Sequence, residues 1–201
     1  MLKIGITGGI GSGKSLICRV FSILGAPVYN ADIQAKKLMN QDPELMTKLI
    51  QSFGTGVYRE GKLDRKALAG IVFNDQAALN LLNSIVHPAV RSDFNSWIDN
   101  NNKASYVIKE AAILFETGMH TGLDTVILIT APEDLRLQRI MRREGEDKES
   151  VRKRMASQWT DEKKAALAGM VIRNDNTQSI LPVILKMHYQ FSRGNLTGLF
   201  E

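Results

Sequence analysis

The sequence predicts an α/β fold built on a parallel sheet of five strands, and three observations predict it. Short apolar runs rich in β-branched residues recur at 3–7, 27–31, 106–111, 125–130 and 170–173. The segments between them carry apolar residues at helical spacing. A glycine-rich turn joins the first run to the first helix. Strands separated by helices cannot pair as hairpins, so they lie parallel and need helices over both faces. The chain has 201 residues, 44% of them hydrophobic, which is enough for one sizeable core with a smaller addition.

The first run, Lys3-Ile4-Gly5-Ile6-Thr7, leads into Gly8-Gly9-Ile10-Gly11-Ser12-Gly13-Lys14-Ser15. That is the phosphate-binding pattern G-x-x-x-x-G-K-[ST]. Glycines at 8, 9, 11 and 13 let the chain bend so that backbone N–H groups point inward at a polyphosphate. The helix that follows offers its positive end to the same anion. Gly9, Ile10, Gly11, Ser12, Gly13, Lys14, Ser15 and Leu16 are therefore the candidate triphosphate residues. Lys14 is placed to reach the β- and γ-phosphates and Ser15 to ligate Mg²⁺. Ile17, Val20, Phe21 and Leu24 continue the helix, and Gly25 fits its C-cap.

The second strand, Pro27 to Ala31, ends at Asp32, a candidate catalytic base whose bland alternative is a helix N-cap. A long helical region from about Ile33 to Asn100 follows. Asp42-Pro43, Asp64 and Asp75 start helices within it, and His87-Pro88 is expected to restart the chain as a further helix through Phe94, Trp97 and Ile98. The third strand carries Glu110 near its end, and the fifth ends at Asn174. Ligands of parallel sheets bind beyond the carboxyl ends of the strands. Gly8 to Ser15, Asp32, Glu110 and Asn174 are thus expected to converge on one site.

Leu135 to Trp159 is rich in arginine, with Arg136, Arg139, Arg142, Arg143, Arg152 and Arg154 among acidic residues. Part of this is a solvated face of ion pairs. Its place after the fourth strand of a phosphate-loop protein predicts a lid whose arginines fork onto phosphate.

Composition excludes several classes. The net charge of +5 suits a polyanionic ligand. Nucleic-acid binding is not expected, since aromatics are 6% and none cluster among the arginines. A guanine-specific switch needs N-K-x-D, whereas the last strand runs into Asn174-Asp175-Asn176-Thr177. The single cysteine, Cys18, precludes an internal disulfide and reads as a packing residue. His120 and His188 are isolated and read as structural. With no apolar run of membrane-span length and no signal-peptide pattern, the chain is expected to be cytoplasmic, with no membrane partner.

The sequence resembles the dephospho-CoA kinase family along nearly its whole length. The resemblance is carried by the opening Ile4 to Ser15, by Asn30-Ala31-Asp32 with Ala35 to Leu38, by His87-Pro88-Ala89-Val90-Arg91, by Ile113-Leu114-Phe115-Glu116, by Arg139 to Arg143 with Gln158, and by Val171 to Asn174. The family pattern has Asp, Arg and Pro where Asn30, Lys36 and Ala112 stand here. The resemblance implies a three-layer P-loop kinase fold with a helical substrate-binding insertion and a short lid. Its domains would be a nucleotide-binding core (1–32, 101–135 and 160–201), a CoA-binding insertion (33–100) and a lid (136–159). It implies that ATP, with Mg²⁺, phosphorylates the 3′-hydroxyl of dephospho-CoA to give CoA and ADP. It makes Lys14, Asp32 and Arg139 catalytic, and adds Arg143 and Asn174 to the ATP residues. Asp32, His87, Arg91, Leu114, Phe115 and Glu116 fall on the acceptor side, where Arg91 pairs either with an acceptor phosphate or with Glu116. The alternative is another small-molecule or nucleoside-monophosphate kinase of the same fold.

Overall fold

A computed structural model describes residues 1–73 and 75–196. The chain divides into two compact units, one of residues 1–30 and 100–201 and one of residues 31–99. The elements of the first are β1 (Leu2–Thr7), α1 (Lys14–Ile23) and β2 (Val28–Asn30). The second contributes α2 (Ala31–Gln41), α3 (Pro43–Phe53), a 3₁₀ turn (Thr55–Val57), β3 (Tyr58–Arg59), β4 (Lys62–Leu63), α4 (Arg65–Val72) and α5 (Gln76–Asn100). The first unit then resumes with β5 (Tyr106–Glu110), β6 (Thr125–Thr130), α6 (Glu133–Glu144), α7 (Lys148–Ala156), α8 (Asp161–Ala165), β7 (Met170–Arg173) and α9 (Leu181–Ser192).

The five strands read from the sequence form one sheet in the order β2-β5-β1-β6-β7, every neighbouring pair parallel. β1 is central, which places the loop after it in the middle of the sheet's carboxyl edge. Its four residues Ile4 to Thr7 are buried because helices cover both faces. On one face Ile4 and Ile6 pack with Ile17, Phe21, Ile108, Ile127, Ile129, Ile184 and Phe191. Phe21 stacks on Phe191 at 6.5 Å and meets the edge of Tyr106 at 6.3 Å. His188 closes this cluster through a 2.8 Å hydrogen bond with the Tyr106 hydroxyl. On the other face Gly5 has no room for a Cβ beneath Leu114 and Leu123.

In the second unit the expected caps form. Asp42 accepts from the Glu44 and Leu45 N–H groups, and Asp64 from those of Lys66 and Ala67. Asp75 does the same for Ala77 and Ala78. Two expectations are corrected. The helical region is broken by a β3–β4 hairpin, whose turn residues Glu60 and Gly61 both have positive φ, 49° and 74°. This is a tight primed turn; Glu-Gly signals it more weakly than Asn-Gly does. The hairpin is held by the Tyr58 hydroxyl donating to Met39 O at 2.6 Å and the Leu63 N–H donating to Asn40 Oδ1 at 2.9 Å. In addition, Pro88 lies inside α5 instead of starting a helix. An interior proline costs about 3 kcal/mol. Val86, Val90 and Phe94, buried at four-residue spacing on both sides of it, continue one stripe whose burial outweighs that cost.

Among the described residues, no helix is long and apolar enough to cross a membrane.

Phe21 is fully buried between two other rings, so Phe21→Ala is expected to destabilise the protein by about 3–5 kcal/mol. Equilibrium denaturant unfolding measures this, and a loss below about 1 kcal/mol would mean the cluster is not the core of the fold.

Candidate active site

The phosphate loop is closed by the Ser12 N–H donating to Gly9 O at 3.1 Å. Gly11 and Gly13 have φ of +82° and +97°, the left-handed region that costs other residues about 1–2 kcal/mol. They are confined as well as bent. A Cβ at Gly11 would strike the backbone of Arg136, and one at Gly13 would strike the Asn174 amide. Gly13 is the N-cap residue of α1 and offers no side-chain cap, which leaves the first N–H groups of the helix to an anion.

Turning N–H groups inward turns carbonyls outward, and three side chains receive them. Lys14 Nζ, buried, donates to Gly8 O at 2.8 Å and Gly9 O at 3.4 Å. Arg139 donates to Gly11 O at 3.3 Å and to Asn174 O at 3.0 Å. The buried Asn174 amide donates to Ser12 O at 2.8 Å. Gln158 acts on a donor instead, its Oε1 accepting from the Ile10 N–H at 2.9 Å.

At the ends of the neighbouring strands, Glu110 Oε1 accepts from the Ser15 hydroxyl at 2.8 Å and Oε2 from the Asn30 amide at 2.8 Å. A hydroxyl beside a carboxylate is a set of hard oxygen donors. Mg²⁺ keeps several waters and takes phosphate oxygens, so it asks a protein for only one or two such groups. The donor set fits that ion. Among the described residues, no group of three or more His, Cys, Asp or Glu is arranged to hold a metal. Burial first, and Glu110 second, push the Cys18 thiol well above its ordinary range, which agrees with its reading as an inert packing residue.

The arginine-rich stretch divides by function. The root of α6 faces the loop, through Arg139 and through Arg136, whose guanidinium lies against Gly9 and 3.6 Å from Asp161. Burial pushes the Asp161 carboxyl up, with Arg136 pulling the other way. Beyond that root the charges pair with one another. Arg143 is exposed and bonds Glu144; Arg154 bonds Glu144 at 2.7 Å and Glu146 at 2.8 Å. Hydrogen bonds from Arg154, then Arg143, hold the Glu144 carboxyl down at about 2.

On the loop after β5, the acceptor-side candidates Leu114 and Phe115 are buried side chains at 0% and 4% exposure. Leu114 is committed to covering Gly5, and the Phe115 ring packs on His120 at 5.1 Å. Glu116 Oε1 accepts from the Trp159 N–H at 3.0 Å and pairs with Lys164 at 2.9 Å. Lys164 and Asp161 are not singled out by the sequence, whereas Arg136 stands among the arginines of the stretch read as a lid. A run such as Asp161-Glu162-Lys163-Lys164 reads as a solvated helical turn, and nothing in it marks Lys164 as fully buried.

Asp32, His87 and Arg91 belong to the second unit. Asp32 lies within the first turn of α2, so it is not the N-cap; its carboxylate sits where the helix dipole favours negative charge. His87 is half-buried and Arg91 exposed on α5.

The model of one family, described as Dephospho-CoA kinase, matches residues 2–179. A dephospho-CoA kinase of Chlorobium chlorochromatii is 39% identical over 94% of this chain and 92% of its own length. The solved dephospho-CoA kinase from Campylobacter jejuni superposes with a TM-score of 0.69 at 30% identity, covering 96% of this chain and 98% of that one. A shikimate kinase from Acinetobacter baumannii is similar in fold alone, with a TM-score of 0.50 at 15% identity over 98% and 96% of the two chains.

Gly13→Ala is expected to cost about 1–2 kcal/mol from the left-handed backbone alone. By displacing Asn174 it also removes the support of Ser12 O. Thermal unfolding with and without a non-hydrolysable nucleoside triphosphate tests this: the wild type gains Tm on adding nucleotide, and the variant gains little.

Proposed function

The chain belongs to the dephospho-CoA kinase family, and from that premise we propose how its own residues transfer the γ-phosphoryl group of ATP to the 3′-hydroxyl of dephospho-CoA. The products are CoA and ADP, and the reaction is the last step of coenzyme A synthesis. The observation that carries the reading is the family match over residues 2–179, which spans the phosphate loop, residues 31–99 and the arginine-rich stretch together. A different acceptor of the same fold class is not favoured, since the likeness to the shikimate kinase is one of fold.

Phosphoryl transfer asks a protein for positioning and charge neutralisation more than for covalent help. We assign residues Gly9 to Leu16 to the ATP phosphates, through the loop N–H groups other than those of Ile10, Ser12 and Leu16, which Gln158, Gly9 O and Gly13 O accept. Lys14 leaves the carbonyls of Gly8 and Gly9 for the β- and γ-oxygens, a short move for a flexible chain already in the loop. Ser15 and Glu110 would hold Mg²⁺. When bound, that ion would neutralise part of the negative charge that the phosphates carry during transfer.

Asp32 takes the proton of the 3′-hydroxyl, whose oxygen attacks the γ-phosphorus as the bond to the β,γ-bridging oxygen breaks. Arg139 acts from its seat on the outer face of the loop, where a fixed cation lowers the energy of the developing charge. Arg143 is the arginine that the arm at 136–159 would deliver to the phosphates. Asn174 keeps the loop in shape. We assign residues 33–100, with His87 and Arg91, to the acceptor; Glu116, already paired with Lys164, acts there only indirectly.

Incubation with ATP, Mg²⁺ and dephospho-CoA should yield CoA, read by mass, and no product would overturn the reading. Lys14→Ala should lower kcat by about 100-fold or more, as other lost electrostatic stabilisers do; near-normal kcat would remove Lys14 from the mechanism. Asp32→Asn keeps the shape and loses the base. A collapse of kcat with ATP still bound supports it, whereas unchanged turnover leaves Asp32 as a favourable charge at the start of α2.

A further inference from the structure

We propose that Lys164 is a positioning residue for the ATP site, acting through Glu116 and Trp159 on the Gln158–Ile10 contact of the phosphate loop. The proposal rests on the assignment of residues 9–16 to the ATP phosphates. The links are contiguous. Lys164 is 0% exposed, and its Nζ donates to Ala112 O at 3.0 Å and pairs with Glu116 at 2.9 Å. Glu116 Oε1 accepts the Trp159 N–H at 3.0 Å. The residue before Trp159 is Gln158, whose Oε1 accepts the Ile10 N–H at 2.9 Å.

A buried ammonium is an expensive way to fill a core position, since an apolar residue of the same size would serve packing as well. What the ion pair adds is direction. A carboxylate held by Lys164 presents a fixed acceptor to one backbone N–H, and that N–H fixes the chain where it leaves α7. The other Glu116 oxygen, Oε2, is buried and accepts no hydrogen bond from the described residues, so the pose of the carboxylate depends on Lys164 and the Trp159 N–H. The adjoining residues act on the same loop: Asp161, three residues before Lys164, sits 3.6 Å from the Arg136 guanidinium that lies against Gly9. Lys164 also grips Ala112 O, which the Thr7 hydroxyl approaches at 3.4 Å just ahead of the loop. One buried cation thus sets the segment that holds Ile10. The carbonyls of Gly11 and Ser12 are held separately, by Arg139 and Asn174.

The test is a double-mutant cycle on the full chain. Lys164→Met and Gln158→Leu are each expected to raise the KM for ATP by about 3- to 30-fold, the range for residues that act through a network. The KM for dephospho-CoA should move much less. The double variant should be no worse than the poorer single one, because both remove the same link. If Lys164→Met does not fold, Glu116→Leu combined with Lys164→Met removes both charges together. It should fold with the same defect in ATP, because the Trp159 N–H has lost its acceptor. Circular dichroism and thermal melts establish folding in each case. A folded Lys164 variant with wild-type KM and kcat for ATP overturns the proposal, as does strict additivity with Gln158→Leu. Lys14→Ala run in parallel separates the two readings: if it turns over normally the donor-site assignment fails, whatever Lys164 does.

Discussion

The carbonyl groups of the phosphate loop are the constraint on which the rest of the first unit depends. A loop that offers N–H groups to an anion must leave its carbonyls on the outside, and each needs a donor if it is to stay away from water. Those donors come from far along the chain. Asn174 reaches Ser12 O from the end of the last strand, and Arg139 reaches Gly11 O from α6. Lys14 serves Gly8 O and Gly9 O. The strand order follows the same need, since only with β1 at the centre can residues after β6 and β7 border the loop from one side and residues after β5 from the other.

The layered fold was legible because each strand is a short apolar run between helical stripes. The loop was legible because glycine at positive φ and lysine at the helix start have few substitutes. The hairpin at 58–63 was hidden because Glu-Gly is an uncommon choice for a primed turn. Pro88 misled for the opposite reason: a strong local stop signal lost to a long-range one, the stripe Val86, Val90 and Phe94. In the site, Lys14, Ser15, Glu110 and Asn174 announce themselves by strand ends and motif, and Arg139 by the arginine-rich stretch and the family resemblance. Lys164 and Asp161 do not, because their burial comes from packing α8 against elements that precede it by dozens of residues.

The charges of the arginine-rich stretch fall into two energetic classes. Exposed pairs such as Lys153–Glu149 contribute about 0–1 kcal/mol each and are weakened by salt. They lie on the outer faces of α6 and α7, which are joined beneath by Val151 packed with Leu137 and Ile140. The pairs at the root, Arg136–Asp161 and Lys164–Glu116, are shielded from water, so breaking one partner leaves an uncompensated charge. The stretch thus carries screened pairs on its outer faces and shielded pairs where it meets the phosphate loop.

The central position of β1 also sets an order of assembly. Its two neighbours in the sheet are β5 and β6, at 106–110 and 125–130, so the first strand made is the one that waits longest for partners. During synthesis from the N-terminus, both of its edges stay open while residues 31–99, a compact unit of their own, emerge and fold. Open strand edges of this kind invite pairing with other chains. The loop after β1 gains its last support only when Asn174 arrives. A nascent or truncated chain that stops short of β7 would thus carry the whole phosphate-binding motif and still lack the means to hold it in shape, which ties competence for ATP to near-completion of the fold.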